Sequence, residues 1–69
     1  MHLRLDDHWV EYLRRLPESG MGYQLVDVRL RDGRRFDSVP VYNSEEMVLP
    51  GSAAVGQGDI EQIRLHDRG

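Results

Sequence analysis

The fold class predicted is mainly β: one small domain of five short strands that curl into a barrel, led by one N-terminal α-helix. Three observations predict it. Apolar residues keep helical spacing only over Asp7–Leu16. From Val26 onward they alternate with polar ones, the period of a half-buried strand. Turn formers then recur at short intervals, at Asp32-Gly33, Asn43-Ser44 and Pro50-Gly51, and leave room only for brief strands.

The helix is read over residues 7–16. Asp6 or Asp7 supplies the N-cap, and with Asp6 as cap Leu5 and Val10 take the staple positions. Trp9, Leu13 and Leu16 share one face, with Tyr12 beside them. Arg14 and Arg15 suit the negative helix end, and Pro17 stops the helix. So short a helix must dock to persist, and Trp9 is the expected anchor.

Residues 17–23 form a linker in which Gly20 and Gly22 suggest unusual backbone angles or close packing. The β-barrel is assigned to 24–65. Its first strand alternates Val26, Val28 and Leu30 with Asp27, Arg29 and Arg31. Asp32-Gly33 signals a hairpin. A three-residue loop Asp32-Gly33-Arg34 pairs Leu30 with Phe36, Val28 with Ser38 and Val26 with Pro40, which gathers the apolar side chains on one face. Gly33 then takes the left-handed conformation of a bulge.

The second strand runs from about Arg35 to Tyr42. Pro40 belongs at an edge or a bend, and Val39 and Val41 are expected to face away from Phe36 and Tyr42. Met47–Leu49 is a third strand and Ser52–Val55 a fourth. Residues 59–65 begin with a one-turn cap and become the fifth, with Ile63 and Leu65 inward. Residues 66–69 read as a fraying tail. Trp9, Phe36 and Tyr42 are the structural anchors.

Size and composition bound the rest. At 69 residues the chain holds one domain at most. Such a chain buries only about 60% of its unfolded surface, for a net stability of roughly 3–5 kcal/mol. A partner would supply missing burial. Without cysteine there is no disulfide and no thiolate metal site. No apolar run reaches membrane-span length, and Met1–Asp7 lacks the apolar run of a leader peptide. Cytoplasmic residence is expected. The net charge is −3, and all nine basic residues are arginine. That acidic balance disfavours phosphate-driven nucleic-acid binding.

The stretch Val26-Asp27-Val28-Arg29-Leu30-Arg31-Asp32-Gly33-Arg34-Arg35-Phe36 resembles the first half of the Sm/Lsm signature, an apolar strand entering an Asp-Gly turn. Tyr42–Leu49 resembles its continuation, and Gly58–Ile63 is similar to the second motif. The resemblance covers about residues 24–65 and implies a small SH3-like or Sm-like barrel, with RNA or anion binding as its attendant function. Met47 stands where that family has its base-contacting Asn, and Gly56-Gln57 or Gln57-Gly58 where it has an Arg-Gly pair. Separately, Leu16-Pro17-Glu18-Ser19-Gly20-Met21-Gly22-Tyr23-Gln24 resembles the connection in small bacterial proteins of unassigned role, built from a helix and a β domain.

No residue pattern points to catalysis. Ser19, Ser38, Ser44 and Ser52 lack an elbow motif and a paired base. His8 and Glu11 share a helix face beside Asp7, but an acidic first turn is an ordinary helix start; His2 and His66 lie near the ends. Glu45 and Glu46 are consecutive and point apart in extended chain. Gly51–Gly58 lacks the Gly-Lys-Ser/Thr of a phosphate loop. No cofactor, metal or catalytic residue is expected. The one basic cluster is Arg29, Arg31, Arg34 and Arg35, the candidate surface for an anion or an acidic partner. The function expected is non-catalytic: homo-oligomerisation, or capture of a protein or peptide, through an edge strand.

Overall fold

The chain begins with a strand that its sequence pattern does not announce. In the computed structural model, which describes residues 1–51 and 53–67, β1 (His2–Arg4) precedes the helix and joins the sheet. Helix α1 (Asp7–Arg14) follows, then β2 (Tyr23–Leu30), β3 (Arg35–Tyr42), β4 (Glu46–Val48), a 3₁₀ turn (Gln57–Asp59) and β5 (Ile60–Leu65). One antiparallel sheet results, in the order β1-β4-β3-β2-β5. It is not closed into a barrel. No helix among the described residues is long and apolar enough to cross a membrane.

Helix α1 starts as its sequence dictates. The Asp6 carboxylate accepts the Trp9 N–H at 3.3 Å, and Leu5 is buried beside half-buried Val10, the staple pair. Regular helix ends at Arg14 rather than Leu16. Arg15 and Leu16 donate to Tyr12 O and Leu13 O, tightening the last turn into 3₁₀ geometry. Leu13 is fully buried, whereas Trp9 is only half-buried. The anchor is therefore Leu13, with Trp9 packed at the rim.

The inward row of β2 is Gln24, Val26, Val28 and Leu30, all buried. Opposite it the hairpin register departs from expectation. The loop has three residues, but they are Arg31, Asp32 and Gly33, with Leu30 N–H bonded to Arg34 O at 2.8 Å. Gly33 takes φ +98°, the left-handed conformation expected of it. Val28 then pairs with Phe36 instead of Ser38.

Farther along, Val26 pairs with Val39 instead of Pro40. Between these two pairs β3 holds one residue more than β2, a bulge at Asp37-Ser38 with Ser38 at φ 55°. The extra residue reverses the alternation. Phe36, Val39 and Val41 consequently share the inward face, while Tyr42 is 45% exposed and anchors nothing in the core. Tyr42 packs its ring 6.2 Å from that of Tyr23.

Pro40 lies opposite Leu25, whose own N–H and C=O bond Ser19 Oγ and the His66 N–H. The proline nitrogen thus takes the outer side of β3, where no ladder bond is lost. Met47 and Leu49 fill the core from β4 and its end. The fourth strand expected at Ser52–Val55 does not form at Ala53–Val55; Ser52 lies outside the described residues. Val55 is nevertheless buried. The tail is also not free at His66: its N–H continues the β2–β5 pairing to Leu25 O at 2.8 Å. Arg68 and Gly69 lie outside the described residues.

Candidate functional site

The arginine cluster splits into two groups once the strands are in register. Arg31 and Arg34 tether the loop before β5. Arg31 Nε donates to Gly58 O at 3.0 Å, and Arg34 donates from Nη2 to Ala54 O at 3.1 Å and from Nε to Asp32 at 2.8 Å. Arg34 thus commits both Nε and Nη2 within the chain, and Arg31 its Nε. The glycine-bearing loop is held by these bonds and by Gly56 N–H donating to Asp59 at 2.8 Å.

Arg29 and Arg35 stand instead on the outward face of the sheet as direct cross-strand partners. Across β2, Arg29 faces Gln62, and the neighbouring pair is Asp27 with Arg64. A depression of about 120 Å³ lies among Asp27, Arg29, Arg35, Gln62 and Arg64. Arg29 pairs with Glu61 at 2.8 Å, and Arg35 sits 3.8 Å from Asp37. Sequence reading missed Gln62 and Arg64. Their alternation with Ile63 and Leu65 hints that they face outward, but only the β2–β5 register places them beside Arg29.

Asp27 is the polar hinge of this face. It accepts the Ser38 N–H at 3.0 Å and contacts the His66 ring at 2.8 Å. Partial burial pushes its carboxyl up; the Ser38 N–H, the His66 ring and the Arg35 charge outweigh this and hold it below the ordinary aspartate value. The carboxylate thus supplies the partner for the bulge's own backbone.

The remaining candidates have ordinary roles. His2 contacts Glu46, and His8 contacts its helix cap Asp6. Ser19 Oγ accepts the Leu25 N–H. Asn43 and Ser44 adopt φ 53° and 60°, with Glu45 N–H bonded to Tyr42 O, a type I′ turn. Among the described residues no group of three or more His, Asp and Glu converges as metal ligands would. Met47, at the position of the base-contacting Asn in the Sm pattern, is fully buried and cannot touch a base.

The sheet also presents unpaired backbone. Among the described residues β5 pairs only with β2, and no strand there covers the outer side of Ile60–Leu65. Because His66 N–H turns toward β2, alternation directs the backbone groups of Ile63 and Leu65 to the open side. The other edge is the three-residue β1, where Gln57 Nε2 already donates to Arg4 O at 2.6 Å. β4 covers β3 only at Val41 and Tyr42; the uncovered part of β3 carries the Ser38 bulge and Pro40. Comparison with protein-family models, curated proteins and solved structures gives no match.

Proposed function

We propose that this chain is a non-catalytic assembly module that pairs with a second copy of itself through the outer edge of β5. The observation that carries the reading is that open six-residue strand, free of proline and presenting the Ile63 and Leu65 backbone. An antiparallel pairing centred on Ile63 lets the two Ile63 residues exchange both backbone bonds. It sets Gln62 opposite the second copy's Arg64 on the outward face, so no two arginines oppose each other. The small core gives the association its value, since burial that a chain of this size lacks is gained from the partner.

The sheet itself we read as an open relative of the small SH3-like or Sm-like barrels. The β2–β3–β4 meander, the return of β5 to β2 and the Gln57 bond to Arg4 across the gap support that reading. A cysteine-free chain suits the reducing cytoplasm.

Sedimentation equilibrium tests the assembly. The native chain is expected to dimerise, Gln62→Arg to set arginines against each other and give monomer, and Gln62→Arg with Arg64→Glu to restore the dimer. A native chain that stays monomeric at high concentration, or a Gln62→Arg variant that still dimerises, would end the proposal.

A further inference from the structure

The outward face of β3, β2 and β5 holds three guanidinium groups that strand pairing forces together. Arg29 and Arg35 are direct cross-strand partners, an arrangement that costs stability between like charges. Arg64 lies diagonal to Arg29 and makes no ion pair among the described residues. The carboxylates nearby relieve the crowding only in part. Glu61 takes Arg29 through Nε alone and leaves the two terminal nitrogens. Asp37 reaches Arg35 only at 3.8 Å. Asp27 is occupied by the Ser38 N–H and His66.

We propose that Arg29, Arg35 and Arg64, with the Gln62 amide, form a binding site for a single phosphate-sized oxyanion. Its place is the depression of about 120 Å³ that these residues line together with Val28 and the Asp27 carboxylate, which the Ser38 N–H and His66 already engage. Guanidinium forks suit phosphate oxygens, which accept paired N–H donors. Among the described residues no aromatic side chain lines the depression to stack a nucleobase. The net charge of −3 also opposes a long polyanion. The ligand is therefore the small anion and not a nucleic acid. The site shares Gln62 and Arg64 with the β5 edge, whereas Arg35 stands two strands inward from that edge and belongs to the anion site alone.

Titration of inorganic phosphate at constant ionic strength, with chloride as the replaced ion, tests this by NMR of the arginine Nε–H signals. Saturable shifts are expected at Arg29, Arg35 and Arg64 in the millimolar range. Arg35→Gln should weaken phosphate roughly tenfold, the loss of about one charge-assisted bond, while Arg14→Gln on the helix changes nothing. Dimerisation by Arg35→Gln should match the native chain, which separates this site from the edge. Shifts that never saturate, equal affinity in Arg35→Gln, or a single-stranded oligonucleotide bound more tightly than phosphate would each overturn the proposal.

Discussion

Gln24 is the polar residue on which helix docking turns, and exchanging its amide for a carboxylate is the sharpest test of the fold. It is 2% exposed in the inward row of β2. Its Nε2 faces the carbonyls of Leu13, Leu16 and Pro17 at 2.9, 3.2 and 3.3 Å, so a strand side chain caps the helix end. Its Oε1 is buried without a partner among the described residues. Gln24→Glu keeps the shape and turns a donor into an acceptor. Losing two neutral hydrogen bonds costs about 2 kcal/mol, and a carboxylate buried against carbonyl oxygens adds several more. The sum exceeds the roughly 3–5 kcal/mol available to a domain of this size, so the variant should be unfolded at neutral pH.

The same substitution has a pH signature. A carboxyl in that position has its folded pKa raised above the unfolded value of about 4.3. Its penalty is absent below that value and grows as pH rises, so the variant should regain structure in mild acid. Gln24→Leu differs: it also loses the amide bonds, but it removes the orphan oxygen, worth about 1–3 kcal/mol. Urea unfolding followed by circular dichroism and Trp9 fluorescence reads both. A Gln24→Glu variant within about 1 kcal/mol of native at neutral pH, or no worse than Gln24→Leu, would refute the capping role.

Other expectations follow from the same contacts. Leu13→Ala should cost about 3–4 kcal/mol in urea unfolding, and Trp9→Ala only about 2 because the indole is half-exposed. Ser44→Gly should raise the midpoint by about 1 kcal/mol of stability, relieving a left-handed serine, and Gly33→Ala should lower it by a similar amount. Asp27 and Asp32 both have lowered native pKa values, Asp32 chiefly through the Arg34 N–H. Their contribution is present above the unfolded value of about 3.8 and is lost as pH falls through the native values. Asp27→Asn should accordingly flatten the acid limb of a stability–pH curve measured between about pH 5 and pH 2.

What the sequence made legible were the features set by local chemistry. The Asp6 cap, the Leu5–Val10 staple, the period-two row of β2 and the left-handed Gly33 depend on neighbours in the chain, and each was readable from spacing. The hairpin register was not. The bulge at Ser38 depends on Asp27 and His66, residues brought together only by β2, β3 and β5 at once. Without that extra residue, Val39 and Val41 read as facing away from Phe36. The β1 strand was hidden because Leu3 is its one inward residue, too little for a period. Gln24 escaped notice although it stands on the same period as Val26. A glutamine carries no apolar signal, and its partners are backbone carbonyls of the helix end. Arg64 entered the arginine face by register alone.

The bulge also bears on where a partner could add. An extra residue twists a strand and interrupts its row of backbone groups, a device that protects sheet edges. Ser38 places that interruption where β4 no longer covers β3, and Pro40 removes an outward N–H beside it. At the opposite end of the sheet, β1 offers three residues and gives one carbonyl to Gln57. Among the described residues β5 is the remaining edge. Its own irregularity lies opposite Arg29–Leu30, toward its start, and Ile63–Leu65 runs in regular pairing with β2. Since strand addition needs outward backbone groups in register, the bulge and proline that shape β3 leave β5, among the described residues, as the edge with such a row.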